Sequence, residues 1–118
     1  MWRDDAYLLD MLLAARKIRD FTNGVMWEKF QDDELTQNGI MHLIQIIGEA
    51  ARKVSPDYQQ QHPEIPWDRI IGMRHRLVHE YFRIIPERVW DVVEKNIPAL
   101  IRLIEPLVPP DESTKDKN

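Results

Sequence analysis

A chain of 118 residues, 43% hydrophobic and 31% charged, has the balance of one globular domain, too short for two cores and too apolar for wholesale disorder. It has no cysteine, which excludes disulfide scaffolds and thiolate metal sites and leaves histidine and carboxylate as the only metal ligands. Its net charge of −4 argues against a general nucleic-acid coat; the acidic start has no signal-peptide core and no stretch nears the roughly 18 apolar residues of a membrane span, so a cytoplasmic protein without membrane contact is expected.

From Asp4 to Phe21 the apolar residues Leu8, Met11, Leu12, Ala15 and Ile18 recur at three and four positions, the stripe of an amphipathic helix that Thr22-Asn23-Gly24 ends. A second, longer helix carries Ile40, Leu43, Ile44, Ile47, Ala51 and Val54 on one face. Ser55-Pro56 closes it and caps a short helix over Asp57–Gln61, which Pro63 stops. Pro66 opens a third helix through Ile70, Ile71, Leu77 and Val78 to about Tyr81. Pro86 opens the fourth, which carries Val89, Val93, Ile97, Leu100, Ile101 and Ile104; Pro98 removes a backbone donor and should kink or divide it near Asn96. No run alternates with period two, so no sheet is expected.

The chain therefore reads as all-α, an antiparallel up-and-down four-helix bundle with short extra helices over residues 1–108, followed by a disordered tail over 109–118. The small residues Gly39, Gly48, Ala50 and Ala51 on the second helix allow close approach of a neighbouring helix, first of all within the chain. The scattered Trp2, Trp27, Trp67 and Trp90 suit core packing better than base stacking.

Charge is uneven. Residues 69–88 hold five arginines against Glu80 and Glu87, a net +3 on an acidic chain. Within them, Gly72-Met73-Arg74-His75-Arg76-Leu77-Val78-His79-Glu80-Tyr81 crowds two histidines and two arginines together. On a continuous helix Arg74 and Tyr81 would share a face about 10 Å apart, whereas Arg74 and His79 would diverge by roughly 140°. One helix cannot then focus all three on one atom, but a second copy about a two-fold axis could bring Arg74 and His79 of each chain to a common cleft. His75 and His79 have the i, i+4 spacing of metal ligands, with Glu80 or Glu49 as completing groups; no third ligand has a recognisable spacing, so no metal is assigned. Glu49 reads better as a buried-interface carboxylate paired with an arginine.

Arg74-x-x-x-x-His79-x-Tyr81 resembles the Arg-x4-His-x-Tyr motif of the HepT-like HEPN ribonuclease toxins. The resemblance extends to Ile46-Ile47-Gly48-Glu49-Ala50-Ala51-Arg52-Lys53, to Pro66-Trp67 before the motif and to Val89-Trp90 after it, covering roughly residues 4–105. It implies a homodimeric HEPN-like bundle whose two Arg74–His79 pairs form a composite endoribonuclease site that needs neither metal nor cofactor. Histidine titrates near neutrality, so two copies of His79 could supply the base for the 2′-hydroxyl and the acid for the leaving 5′-oxygen. Arg74, always charged and fork-shaped, would stabilise the phosphorane. The products would be a 2′,3′-cyclic phosphate and a free 5′-hydroxyl. His75, Arg76 and Arg83 are candidate contacts to RNA phosphates. The family is paired with a minimal nucleotidyltransferase antitoxin that adenylylates the motif tyrosine, here Tyr81. The competing reading is a non-catalytic HEPN module that associates with such a nucleotidyltransferase.

Overall fold

The structure, a computed structural model, describes residues 2–109. The first apolar stripe forms α1 (Trp2–Thr22), in which Leu8, Met11, Leu12, Ala15 and Ile18 are all buried. Gly24, with φ at +75°, turns the chain out of it. A single helical turn that periodicity does not reveal, α2 (Trp27–Phe30), follows. It exists because Phe30 is fully buried and because the buried Gln37 donates its amide N–H groups to the carbonyls of Phe30 and Gln31, at 2.8 and 3.1 Å. Asp33 then caps α3 (Glu34–Lys53), accepting the N–H of Thr36 at 3.0 Å; the hydroxyl and N–H of Thr36 hold its carboxyl below the ordinary aspartate value.

α1 and α3 run antiparallel. Buried Asp4, near the start of α1, accepts the N–H and hydroxyl of Ser55, just past the end of α3, at 2.9 and 2.7 Å. Ser55 also caps α4 (Pro56–Gln61), accepting the N–H of Tyr58. This is the capped short helix that Ser55-Pro56 predicts. The third and fourth helices fold back in turn: Gly48 of α3 lies against α5 (Trp67–Ile71), where an added Cβ would meet the carbonyl oxygens of Ile70 and Ile71 at 3.4 Å. Gly48 is therefore used for packing within the chain, whereas a Cβ at Gly39 would meet nothing within 4 Å.

The fourth helix begins at Pro86, as expected, in α6 (Pro86–Asp91), and ends in α7 (Ile97–Ile104). The two are joined by a π turn over Val92–Asn96. Proline at 98 cannot donate to a carbonyl one turn back, and the wider π turn accommodates the missing bond while backbone angles stay helical at Asn96 and Ile97. Val89, Val93, Ile97, Leu100, Ile101 and Ile104 are all buried. α7 packs on α1, and Arg16 pairs with Glu105 across that seam at 2.9 Å. The result is an all-α up-and-down bundle of four main helical segments. Trp67 is buried, and Trp27, Phe30 and Trp90 form one aromatic cluster with centroids 4.8 to 6.3 Å apart, so these tryptophans serve packing. The expected tail, apart from Pro109, lies outside the described residues. No helix among the described residues is long and apolar enough to cross a membrane.

Candidate active site

The third helix does not reach Tyr81. It stops at Gly72 (φ −92°, ψ 4°), and a 3-10 turn takes over at Met73–Leu77. Met73 and Leu77 anchor that turn in the core, which leaves Arg74 half-buried and His75 and Arg76 exposed. Val78 is extended (φ −130°, ψ 153°) and bridges antiparallel to Ile84. The N–H of Ile85 donates to the carbonyl of Leu77 at 2.8 Å, and the N–H of His79 to the carbonyl of Arg83 at 2.7 Å. Three β-branched residues, Val78, Ile84 and Ile85, favour this pairing, and Pro86 restricts Ile85 to extended backbone. One bridge is too short for period-two alternation to show in the sequence, so the pattern over 66–81 predicts a helix where the structure has a hairpin.

Between the bridge arms, Glu80–Phe82 makes a single 3-10 turn whose middle residue, Tyr81, has φ 59° and ψ 25°. Among the described residues it is the one non-glycine with positive φ, and it is 88% exposed. Glycine or asparagine would adopt this left-handed conformation more easily. An aromatic ring is thus held at a loop tip, in solvent, by a backbone shape that its residue type disfavours.

The broken helix corrects two geometric expectations. Neither the shared face of Arg74 and Tyr81 nor the 140° divergence of Arg74 and His79 applies, because His79 lies past the 3-10 turn in extended backbone (φ −95°, ψ −172°). The helical-angle reason for needing a second copy falls with it. The i, i+4 geometry of His75 and His79 is lost too, and among the described residues no three histidine, aspartate or glutamate side chains gather as metal ligands would. What the structure brings together is sequential: Arg74 and His75 on the turn, then His79, Tyr81 and Arg83 on the hairpin it leads into. Among the described residues the side chains of Arg74, His75, His79 and Arg83 make no hydrogen bond or ion pair. Four cationic or potentially cationic groups with unspent donors therefore lie along the 73–77 turn and the exposed loop that follows it, residue types able to hold a phosphate and move protons beside it.

Arg76 points elsewhere. Its Nη2 donates to the carbonyl of Arg69 at 2.8 Å, and it lines a cleft of about 680 Å³ between the 73–77 turn and α6. Arg69 and Arg88 line the same cleft; no motif singles them out, and their only signal in the sequence is the positive balance of residues 69–88. Glu49 pairs with an arginine as expected, but on the exposed surface of α3 with Arg52, three residues on.

Residues 11–107 match the family described as Ribonuclease HepT-like. An RNase-named protein of Methanocaldococcus jannaschii is 34% identical over 113 residues, 96% of this chain and 93% of the relative. A Thermococcus cleftensis protein named as a ribonuclease HepT is 37% identical over 94 residues, 80% of this chain and 86% of the relative. An RNase-named protein of Caldanaerobacter subterraneus is 28% identical over 102 residues, covering 86% of this chain and 91% of the relative. No solved structure matches the chain. With the family match running from the middle of α1 through the other main helical segments and the whole Arg74–Tyr81 stretch, the chain belongs to the HepT-like ribonuclease family.

Proposed function

We propose that this chain is a metal-independent endoribonuclease, the toxin of a HEPN/MNT toxin–antitoxin pair, which cleaves RNA through Arg74 and His79 of two chains and is silenced by adenylylation of Tyr81. The observation that carries the reading is the hairpin: among the described residues the side chains of Arg74 and His79 make no hydrogen bond or ion pair, and Tyr81 stands 88% exposed on the loop they lead into. In the reaction His79 of one chain removes the 2′-hydroxyl proton, and His79 of the other protonates the 5′-oxygen as the P–O bond breaks. Arg74 stabilises the equatorial oxygens of the phosphorane, where a planar guanidinium offers two parallel donors. His75 and Arg83 hold flanking phosphates beside the loop, and Arg76 holds one from its cleft.

The two-chain site is carried by the family's composite mechanism and by the need for an acid and a base when each chain offers one His79. Light scattering should give twice the chain mass at micromolar concentration; a strict monomer that still cleaves would require another acid. A nucleotidyltransferase that transfers adenylate to Tyr81 would meet a tyrosine already presented in solvent, and the added phosphodiester would repel an RNA phosphate two residues from His79. The deciding experiment incubates the purified chain with total RNA in chelator, beside His79→Ala. Cleavage by the first and not the second supports the nuclease; intact RNA in both lanes makes the chain a binding module for the nucleotidyltransferase.

A further inference from the structure

The cleft of about 680 Å³ that Arg76 lines is shared by none of Arg74, His79 and Tyr81. Three arginines reach it from three separate elements: Arg69 from the middle of α5, Arg76 from the 73–77 turn and Arg88 from α6. Two of them are already positioned by backbone. Arg76 donates to the carbonyl of Arg69 at 2.8 Å, and Arg88 donates through Nη1 to the carbonyl of Arg76 at 3.0 Å. Each of these bonds uses one of five N–H donors, and Arg69 spends none among the described residues.

Two carboxylates, Glu87 and Asp91, line the same cleft, yet neither pairs with an arginine; Asp91 is held by Lys95 at 2.8 Å instead. Among the described residues the lining thus sets three arginines against two carboxylates with no direct ion pair between them, and the arginines keep donors to offer. On a chain of net charge −4, this is a pre-set cationic recess with most of its donors unspent. Fixing Arg76 and Arg88 before a ligand arrives removes part of the side-chain ordering that binding would otherwise require. The chemistry that fits is a phosphodiester backbone, since guanidinium forks match phosphate oxygens and three donors on three elements suit a strand rather than a point.

We infer that the Arg69–Arg76–Arg88 cleft is a phosphate subsite for single-stranded RNA, separate from the Arg74–His79 loop and seating the strand that flanks the cleaved bond. The assignment rests on the ribonuclease reading for its ligand, but its test does not need cleavage. Glu87 acts there as a brake, because its charge opposes the phosphate that the arginines attract.

Anisotropy of a labelled 2′-O-methyl 12-mer, which has no 2′-hydroxyl to react, reads binding alone. Arg69→Glu, a side chain that holds nothing in the free protein, should weaken binding at least tenfold and flatten its salt dependence, each lost phosphate contact lowering the slope by about 0.7. Arg69→Lys, which keeps the charge but not the fork, should weaken binding less than Arg69→Glu. Glu87→Gln should tighten binding two- to threefold, a gain that damage to the fold cannot produce. An affinity unchanged in both Arg69→Glu and Glu87→Gln overturns the subsite, as does a wild type that does not bind the 12-mer. Titration with inorganic phosphate and AMP separates the remaining source: if they bind in an Arg69-dependent way while the 12-mer does not respond to Arg69→Glu, the cleft takes small anions and the RNA assignment is wrong. Arg69-dependent binding by a chain that leaves total RNA intact would uphold the subsite and overturn the nuclease, so the two failures are distinct.

Discussion

The N–H of His79 donates to the carbonyl of Arg83 at 2.7 Å, the shortest of the backbone bonds that close the loop on whose tip Tyr81 sits. It holds by backbone alone, so the imidazole of His79 and the guanidinium of Arg83 contribute nothing to the closure and stay available to a ligand. Substitution of these side chains should therefore separate function from folding.

His79→Ala and Arg74→Ala should each lower RNA cleavage by at least about two orders of magnitude, the range for losing an acid–base group or a donor to a developing oxyanion. Thermal melts of both variants should fall close to wild type, since neither side chain has a hydrogen bond or ion pair to lose among the described residues. Full activity in a folded His79→Ala variant would remove it from the mechanism.

Tyr81 should be a site where stability has been given up for presentation. Left-handed backbone costs a residue with a Cβ about 1–2 kcal/mol, while glycine's extra unfolded-state freedom returns about 0.5–1 of that. Tyr81→Gly should therefore raise unfolding stability by roughly 0.5–1 kcal/mol in a denaturant titration. A destabilised Tyr81→Gly would mean that the ring makes a contact worth more than the strain.

Incubation with the partner nucleotidyltransferase, ATP and magnesium should add one or more adenylate masses to the peptide containing Tyr81. Tyr81→Phe should abolish the addition and keep appreciable cleavage. Neutralisation of wild type with no change in mass would point to inhibition by simple complex formation.

Asp4 should be the most sensitive polar residue of the fold. It is 4% exposed and accepts both the N–H and the hydroxyl of Ser55, clasping the ends of α1 and α3. Asp4→Ala strands those donors and should cost about 1–3 kcal/mol. Activity per folded molecule should be unchanged, which a denaturant midpoint and a cleavage assay on the same sample would establish.

The α3 cap sets a pH dependence. Thr36 holds the folded Asp33 carboxyl below its ordinary value of 3.8, so the carboxylate binds fewer protons folded than unfolded. Its contribution is present above the unfolded value and fades as pH falls through the lower folded one. Acid unfolding followed by circular dichroism should show Asp33→Asn, which can still cap but does not titrate, losing less stability than wild type over that window.

Much of this protein is decided by local sequence. The stripes at 8–18, 40–54 and 89–104 all became buried helix faces, because a helix with one apolar side has only one way to hide it. Ser55-Pro56 and Pro86 opened helices where capping chemistry and a fixed φ require it. The residue types of the motif, Arg74, His79 and Tyr81, were equally legible, since their chemistry does not depend on where the backbone takes them.

The path of that backbone was settled by tertiary contacts. Residues 72–81 carry a helix-compatible pattern, yet the buried anchors Met73 and Leu77 and the returning arm Ile84–Ile85 draw the chain into a tight turn and a one-bridge hairpin. Val78 and Ile84 are only six residues apart, but a single bridge leaves no alternation, so their β-branched side chains read equally well as the apolar face of a helix. Arg69, Arg76 and Arg88 meet at one cleft for the same reason: they belong to three elements, and only the packing of α5 and α6 around the turn makes neighbours of them. Periodicity describes which face of an element is apolar, whereas the end of an element and the company of its polar side chains depend on partners far along the chain.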